Sequence, residues 1–281
     1  MTWQTLGFDK NKKLFERTMH DGSFGHAYIF SGQAMIGKMT FGLELANLVT
    51  KASKPDILVV SPAGSESGQS IAIEEVRKIK SFTSFKPHNA ERKFVIIDDA
   101  DAMTIEAQNA LLKILEEPNA SSILILITAY PEALLPTVLS RCQEIGFFPH
   151  KRALVDAVLT DSKLSKTNRE FLAEFANGRI GLAKHIIEND SFAQVEDAIK
   201  KIMHLTKADI NERLITAQKL ADDKNKAELP QLVLYWMLYL RTRLNEPKTH
   251  KILKNLLVLR EIVNKPQYNQ RLALENFLVS L

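Results

Sequence analysis

Ile29-Phe30-Ser31-Gly32-Gln33-Ala34-Met35-Ile36-Gly37-Lys38-Met39-Thr40 reads as a phosphate-binding loop with one departure from its pattern. Such a loop needs two glycines five apart so that backbone N–H groups curl round a polyphosphate. A lysine then reaches the outer phosphates, and a hydroxyl in the next position holds Mg²⁺. Gly32, Gly37 and Lys38 satisfy the spacing, and the apolar run Ala27 to Phe30 supplies the strand that feeds the loop. Met39 stands where the hydroxyl belongs, and its thioether is a poor ligand for a hard cation. Thr40 lies one residue further on, a rotation of about 100° round the helix axis, which turns it away from the metal. The stretch predicts a nucleotide site, for ATP or ADP, that hydrolyses poorly.

The rest of the chain sets ordinary bounds. Its 281 residues, 25% charged and 45% hydrophobic, suit a globular protein of two or three domains. A balance of 37 Lys and Arg against 33 Asp and Glu leaves +4, compatible with an acidic partner without requiring one. The single cysteine, Cys142, excludes an internal disulfide and a cysteine zinc cluster. The stretch Met1-Thr2-Trp3-Gln4-Thr5 has no apolar signal core and no apolar run is long enough to span a bilayer, so a cytoplasmic location off the membrane is expected.

Leu14, Phe15, Thr18 and Met19 mark a helix that stops at Asp21-Gly22-Ser23, and Phe41, Leu45 and Leu48 mark one after the loop. The loop thus sits between a strand and a helix, which raises it above a chance match. Ile57 to Val60 predicts a second strand, followed by a Ser/Gly-rich loop over 61–70 and a helix carrying Ile73, Val76, Ile79 and Phe82. Arg77, Lys78 and Lys80, with Lys86, Arg92 and Lys93 beyond, make either a basic groove for a nucleic-acid backbone or a solvated helix face.

Phe94-Val95-Ile96-Ile97-Asp98-Asp99 is an apolar strand ending in two carboxylates, the look of a Walker B strand. There the first acid, Asp98, holds the metal through water, so any Mg²⁺ would sit near it and only with nucleotide bound. The second acid, usually Glu, polarises the attacking water. Asp99 is one methylene short, and about 1 Å of misplacement costs roughly 100-fold in rate. Thr104 opens the next helix, with Glu106 in its first turn, and Pro118 closes it. Ile123 to Ile127 is a central strand with Thr128 at its end, placed either to sense the outer phosphate or only to cap.

Asp98-Asp99-Ala100-Asp101-Ala102-Met103-Thr104, then Asn109-Ala110-Leu111-Leu112-Lys113-Ile114-Leu115-Glu116-Glu117-Pro118, then Ser140-Arg141-Cys142 together resemble the AAA+ subunits of bacterial clamp loaders, of the delta-prime type. The resemblance covers residues 1–150 strongly and the remainder loosely. It implies Lys38 on phosphate, Asp98 beside a metal, Thr128 as first sensor and Arg141 as an arginine finger acting on a neighbouring subunit. A planar, permanently charged fork suits that last task. It also implies a hetero-oligomeric ring with gamma/tau and delta subunits that loads a sliding clamp on primed DNA. Two departures stand out: the link from Thr50 to Pro55 lacks the zinc cysteines of many relatives, and Met39 and Asp99 replace the residues of active motors.

Past Phe147-Phe148-Pro149 no strand is expected. Three short helices follow, around Leu154 to Val158, Phe171 to Phe175 and Ile180 to Ile187, and resemble the AAA+ lid. Gly178-Arg179-Ile180-Gly181 occupies the place where relatives carry Gly-x-x-Arg, so the lid arginine is replaced by Gly181. From about 206 the chain is helical, with Leu232 to Leu240 apolar all round, covered either by its own bundle or by other subunits. The expected organisation is an α/β P-loop domain (1–150), a helical lid (151–205) and a helical collar (206–281). Two rivals to the stator-like reading stay open: an active ATPase motor of the same complex, and a stand-alone P-loop enzyme such as a small-molecule kinase.

Overall fold

The computed structural model describes residues 3–65, 68–222, 228–263 and 268–281. Seven strands occur among them: β1 (Ala27–Ser31), β2 (Ile57–Val60), β3 (Ala63–Ser65), β4 (Gly68–Ser70), β5 (Lys93–Ile97), β6 (Ser122–Thr128) and β7 (Gln143–Gly146). Five form a parallel sheet in the order β2-β5-β6-β1-β7. The other two, β3 and β4, pair as an antiparallel hairpin within the stretch expected as a loop, whose residues 66 and 67 lie outside the described residues. The helices α1 (Asp9–Asp21), α2 (Lys38–Thr50), α3 (Ile73–Ser84), α4 (Ile105–Glu116) and the single turn α5 (Pro136–Leu139) lie in the same part of the chain.

The central strands β1, β5 and β6 are buried along their whole length, as a parallel sheet covered on both faces requires. Because side chains alternate, each strand feeds two cores. Ala27, Ile29, Val95, Ile97, Leu124 and Leu126 pack with Val76 and Ile79 of α3 and Leu111 of α4. Tyr28, Phe30, Phe94, Ile96, Ile123, Ile125 and Ile127 pack on the other face with Phe15 of α1 and Phe41 and Leu45 of α2. Gly42 of α2 faces this core, where a Cβ would meet Ile127, Phe30 and Ile96 at 3.7–3.8 Å, ordinary van der Waals contact. The helix ends follow local chemistry: Gly22 caps α1 with φ 63° and its N–H on Thr18 O, and Thr104 Oγ1 accepts from Ala107 N at the start of α4.

The chain divides into two compact units, one of residues 1–155 with 178–181 and one of residues 156–177 with 182–281. The remaining helices are α6 (Arg152–Leu159), α7 (Lys166–Ala176), α8 (Ile180–Glu188), α9 (Phe192–Leu205), α10 (Ile210–Leu220), α11 (Leu229–Arg241), α12 (Thr249–Val263) and α13 (Gln270–Val279). Within the second unit α11 packs against α7, α9 and α12, so its apolar circumference is covered by its own chain. Trp236 is fully buried there, with its Nε1–H donated to Ala198 O at 2.8 Å. Ile210, Leu257, Val258 and Leu272 of α10, α12 and α13 stay about half exposed.

Candidate functional site at the carboxyl ends of the parallel strands

In an open parallel sheet, ligands bind at the carboxyl ends of the strands, and there the loop of Gly32, Gly37 and Lys38 meets Asp98 and Asp99. The loop after β1 turns on Gly32 (φ 147°), Met35 (φ 62°) and Gly37 (φ 108°). At Gly32 a Cβ would come within 2.2 Å of Phe147 O, so only glycine fits. Lys38 opens α2 and is 6% exposed. Its Nζ donates to Gly32 O at 2.5 Å and to Gln33 O at 2.8 Å, which folds the ammonium back over the loop. Burial lowers its pKa to about 8, against the pull of Asp99, Asp98 and Asp101, while Arg179 adds to the lowering.

Three carboxylates face this lysine from the end of β5. Asp98 donates its N–H to Val60 O at 2.8 Å, extending the pairing of β5 with β2, and burial raises its carboxyl above the usual range. Asp99 adopts left-handed backbone (φ 47°) with one side open to solvent, and its carboxyl is pushed up to about 6 by desolvation and then by Asp98 and Asp101. Asp101 was legible only as a letter of the family pattern. Its Oδ1 accepts from Thr128 Oγ1 at 2.5 Å, and Thr128 Oγ1 accepts from Tyr130 N at 2.9 Å. The Thr128 hydroxyl is therefore engaged inside the chain as donor and acceptor, the geometry of a cap.

The two residues after Lys38 point in different directions. Met39 packs against the aromatic core of Phe15, Phe30 and Phe41, and Thr40 is exposed. Glycines and lysine of this form fit a nucleotide's phosphates, but the donor set for Mg²⁺ does not fit: the position after Lys38 holds Met39, whose thioether is a poor ligand for a hard cation.

A second segment closes on the loop within the same unit. His150 Nε2 lies 3.0 Å from Ile36 O, and the backbone N–H of His150 donates to Gly178 O at 2.9 Å. At Gly181 a Cβ would lie 2.5 Å from Met35 O, so this position carries no side chain because the phosphate loop occupies the space. Arg179, set aside by spacing alone, is 7% exposed and within electrostatic reach of Lys38. Phe8 covers the loop from the amino-terminal side, with its ring 4.3 Å from that of His150 and 4.8 Å from that of Phe147. Neither contact has a local signal, since each joins residues far apart in sequence.

Arg141 lies apart from this cluster, after α5. Its Nη2 pairs with Glu116 Oε1 at 2.8 Å and its Nη1 donates to Thr137 O at 3.0 Å. Neighbouring Cys142 packs against the α3/α4 core, and burial pushes its thiol up to about 12, which makes it inert. Of the six basic residues read as a groove or a solvated helix face, two form ion pairs and two others are held by backbone carbonyls. Arg77 and Lys78 pair with Glu74 and Glu75, and Arg92 donates to Gly22 O and stacks on Phe24. Lys93 is no surface residue: it is 5% exposed, with its ammonium on Phe82 O at 2.7 Å and over the Phe82 ring.

Residues 47–151 match the family model described as DNA polymerase III, delta subunit. A DNA polymerase III subunit delta' of Bacillus subtilis is 30% identical over 209 residues, 68% of this chain and 62% of that relative. One from Pseudomonas aeruginosa is 29% identical over 234 residues, 74% of this chain and 68% of that relative. The chain is thus similar in sequence to two delta-prime subunits. The chain spans less than two thirds of the Bacillus relative's length. Its fold also matches the crystal structure of a DNA polymerase III gamma-subunit-related protein from Thermotoga maritima, with a TM-score of 0.59 at 23% identity, over 96% of this chain and 98% of that one. The architecture is an α/β domain built on a five-stranded parallel sheet, with a helical carboxyl-terminal part. Among the described residues no helix is long and apolar enough to cross a membrane.

Proposed function

We propose that this chain is a delta-prime-type subunit of a cytoplasmic clamp loader. It stands in a hetero-oligomeric ring with gamma/tau and delta subunits that uses ATP to open a sliding clamp and close it round primed DNA. Residues 151–205 serve as its lid and 206–281 as its collar. Its own P-loop holds ATP or ADP through Gly32, Gly37 and Lys38 and turns it over slowly, and Arg141 is offered to the γ-phosphate of a neighbour. The observation that carries the reading is the fate of the two residues after Lys38, with Met39 in the aromatic core and Thr40 in solvent. A loop built so lacks the hydroxyl that a hydrolysing site uses to hold its metal. In a loader reconstituted from all subunits, Arg141→Ala is expected to lower ATPase at least ten-fold while size-exclusion chromatography finds the ring intact. An unchanged rate removes the finger assignment.

One observation favours the motor reading instead: Asp99, pushed up to about 6 beside Lys38, is suited to accept a proton from water. Turnover by the isolated chain that Lys38→Ala abolishes would establish it.

A further inference from the structure

Arg141 is held by an acid that stands in an unfavourable place. Glu116 is the last residue of α4, where the helix's terminal carbonyls repel a negative charge, and Glu117 follows it directly. Lys113 is the one basic residue of that last turn, and the ion pair that Glu116 makes is with a cation from another element. Arg141 supplies it from the turn after α5, with Nη2 2.8 Å from Glu116 Oε1. The other arm of the fork, Nη1, donates to Thr137 O at 3.0 Å and meets Ser140 Oγ at 3.4 Å. Both arms are thus restrained by separate elements while 36% of the side chain stays in solvent.

We infer that Glu116 is a positioning residue for Arg141: it presents the guanidinium at the surface in one orientation for an anion on a neighbouring molecule. This rests on Arg141 acting in trans. Magnitude decides between orienting and locking. An ion pair this exposed is too weak to withhold the arginine from a polyphosphate, yet strong enough to bias a long, otherwise freely rotating side chain. The charge of α4's end is therefore part of the finger's geometry.

The test uses the full chain assembled with its motor and delta subunits, clamp and primed DNA, reading kcat and KM for ATP. Glu116→Ala is expected to lower kcat about three- to five-fold with KM and assembly unchanged. Glu116→Gln, which keeps a hydrogen bond to the fork, recovers part of the loss. In an Arg141→Ala background Glu116→Ala changes nothing further. The inference is overturned if Glu116→Ala matches the wild type while Arg141→Ala does not, or if its effect persists at full size without Arg141. Should Arg141→Ala itself be silent, the trans reading fails and the inference with it.

Discussion

Gly32 and Lys38 show how narrowly single positions are constrained. A methyl group at position 32 meets a backbone carbonyl at 2.2 Å and forces an L residue to φ 147°, so Gly32→Ala is expected to lower stability by about 2 kcal/mol or more in urea denaturation. Lys38 has a folded pKa of about 8 against 10.5 unfolded, so between those values the unfolded chain binds more protons. Stability therefore rises with pH through that window. Relative to Lys38→Met, which has no such proton, the wild type is expected to gain about 1–2 kcal/mol from pH 8 to pH 10, and equal pH slopes for the two would refute the burial of its charge. The glycine and lysine spacing was readable because it is local. That Gly181 is glycine for want of space against Met35, and that Arg179 is buried, required the folded backbone, which brings residues 35 and 181 together.

Elements are held by a few polar groups whose loss is measurable. Asp56, just before β2, is fully buried, and its carboxylate accepts from the N–H groups of His88, Asn89 and Ala90 and from Ser53 Oγ. Although burial alone would raise its pKa, these bonds hold it below the ordinary carboxylate range. Asp56→Ala is expected to cost about 2 kcal/mol and to release 88–90 to fast amide exchange, leaving the sheet protected. Part of that stability exists only above the unfolded pKa, so it is lost as pH falls below about 4. Thr104→Ala, which removes the cap on Ala107 N, is expected to cost about 1 kcal/mol, and Thr104→Ser much less, read as the same urea midpoint. Strands β1, β2, β5 and β6 were legible as apolar runs, but β7, Gln143-Glu144-Ile145-Gly146, was not, for only Ile145 is buried on this edge strand.

At the scale of the molecule, the two compact units each hold one of the two tryptophans. Trp3 stacks on Phe41 at 4.8 Å in the first unit, and Trp236 is buried in the second. With Trp236→Phe and Trp3→Phe variants, fluorescence follows each unit's unfolding separately. ATP at 100 times its Kd is expected to stabilise the Trp3-reported transition by about 2.7 kcal/mol and leave the other in place. Equal shifts in both would mean that the units unfold as one. The sequence by itself determined the α/β class, the loop, the acidic strand end and the helical remainder, because glycine conformation, strand alternation and helix periodicity are properties of neighbouring residues. Only the tertiary structure decided that Met39 turns into the aromatic core, that Thr128 is engaged by Asp101, that Glu116 grips Arg141 and that α11 is covered by its own chain. Those outcomes depend on which distant side chains share a volume or a charge, and no local pattern encodes that.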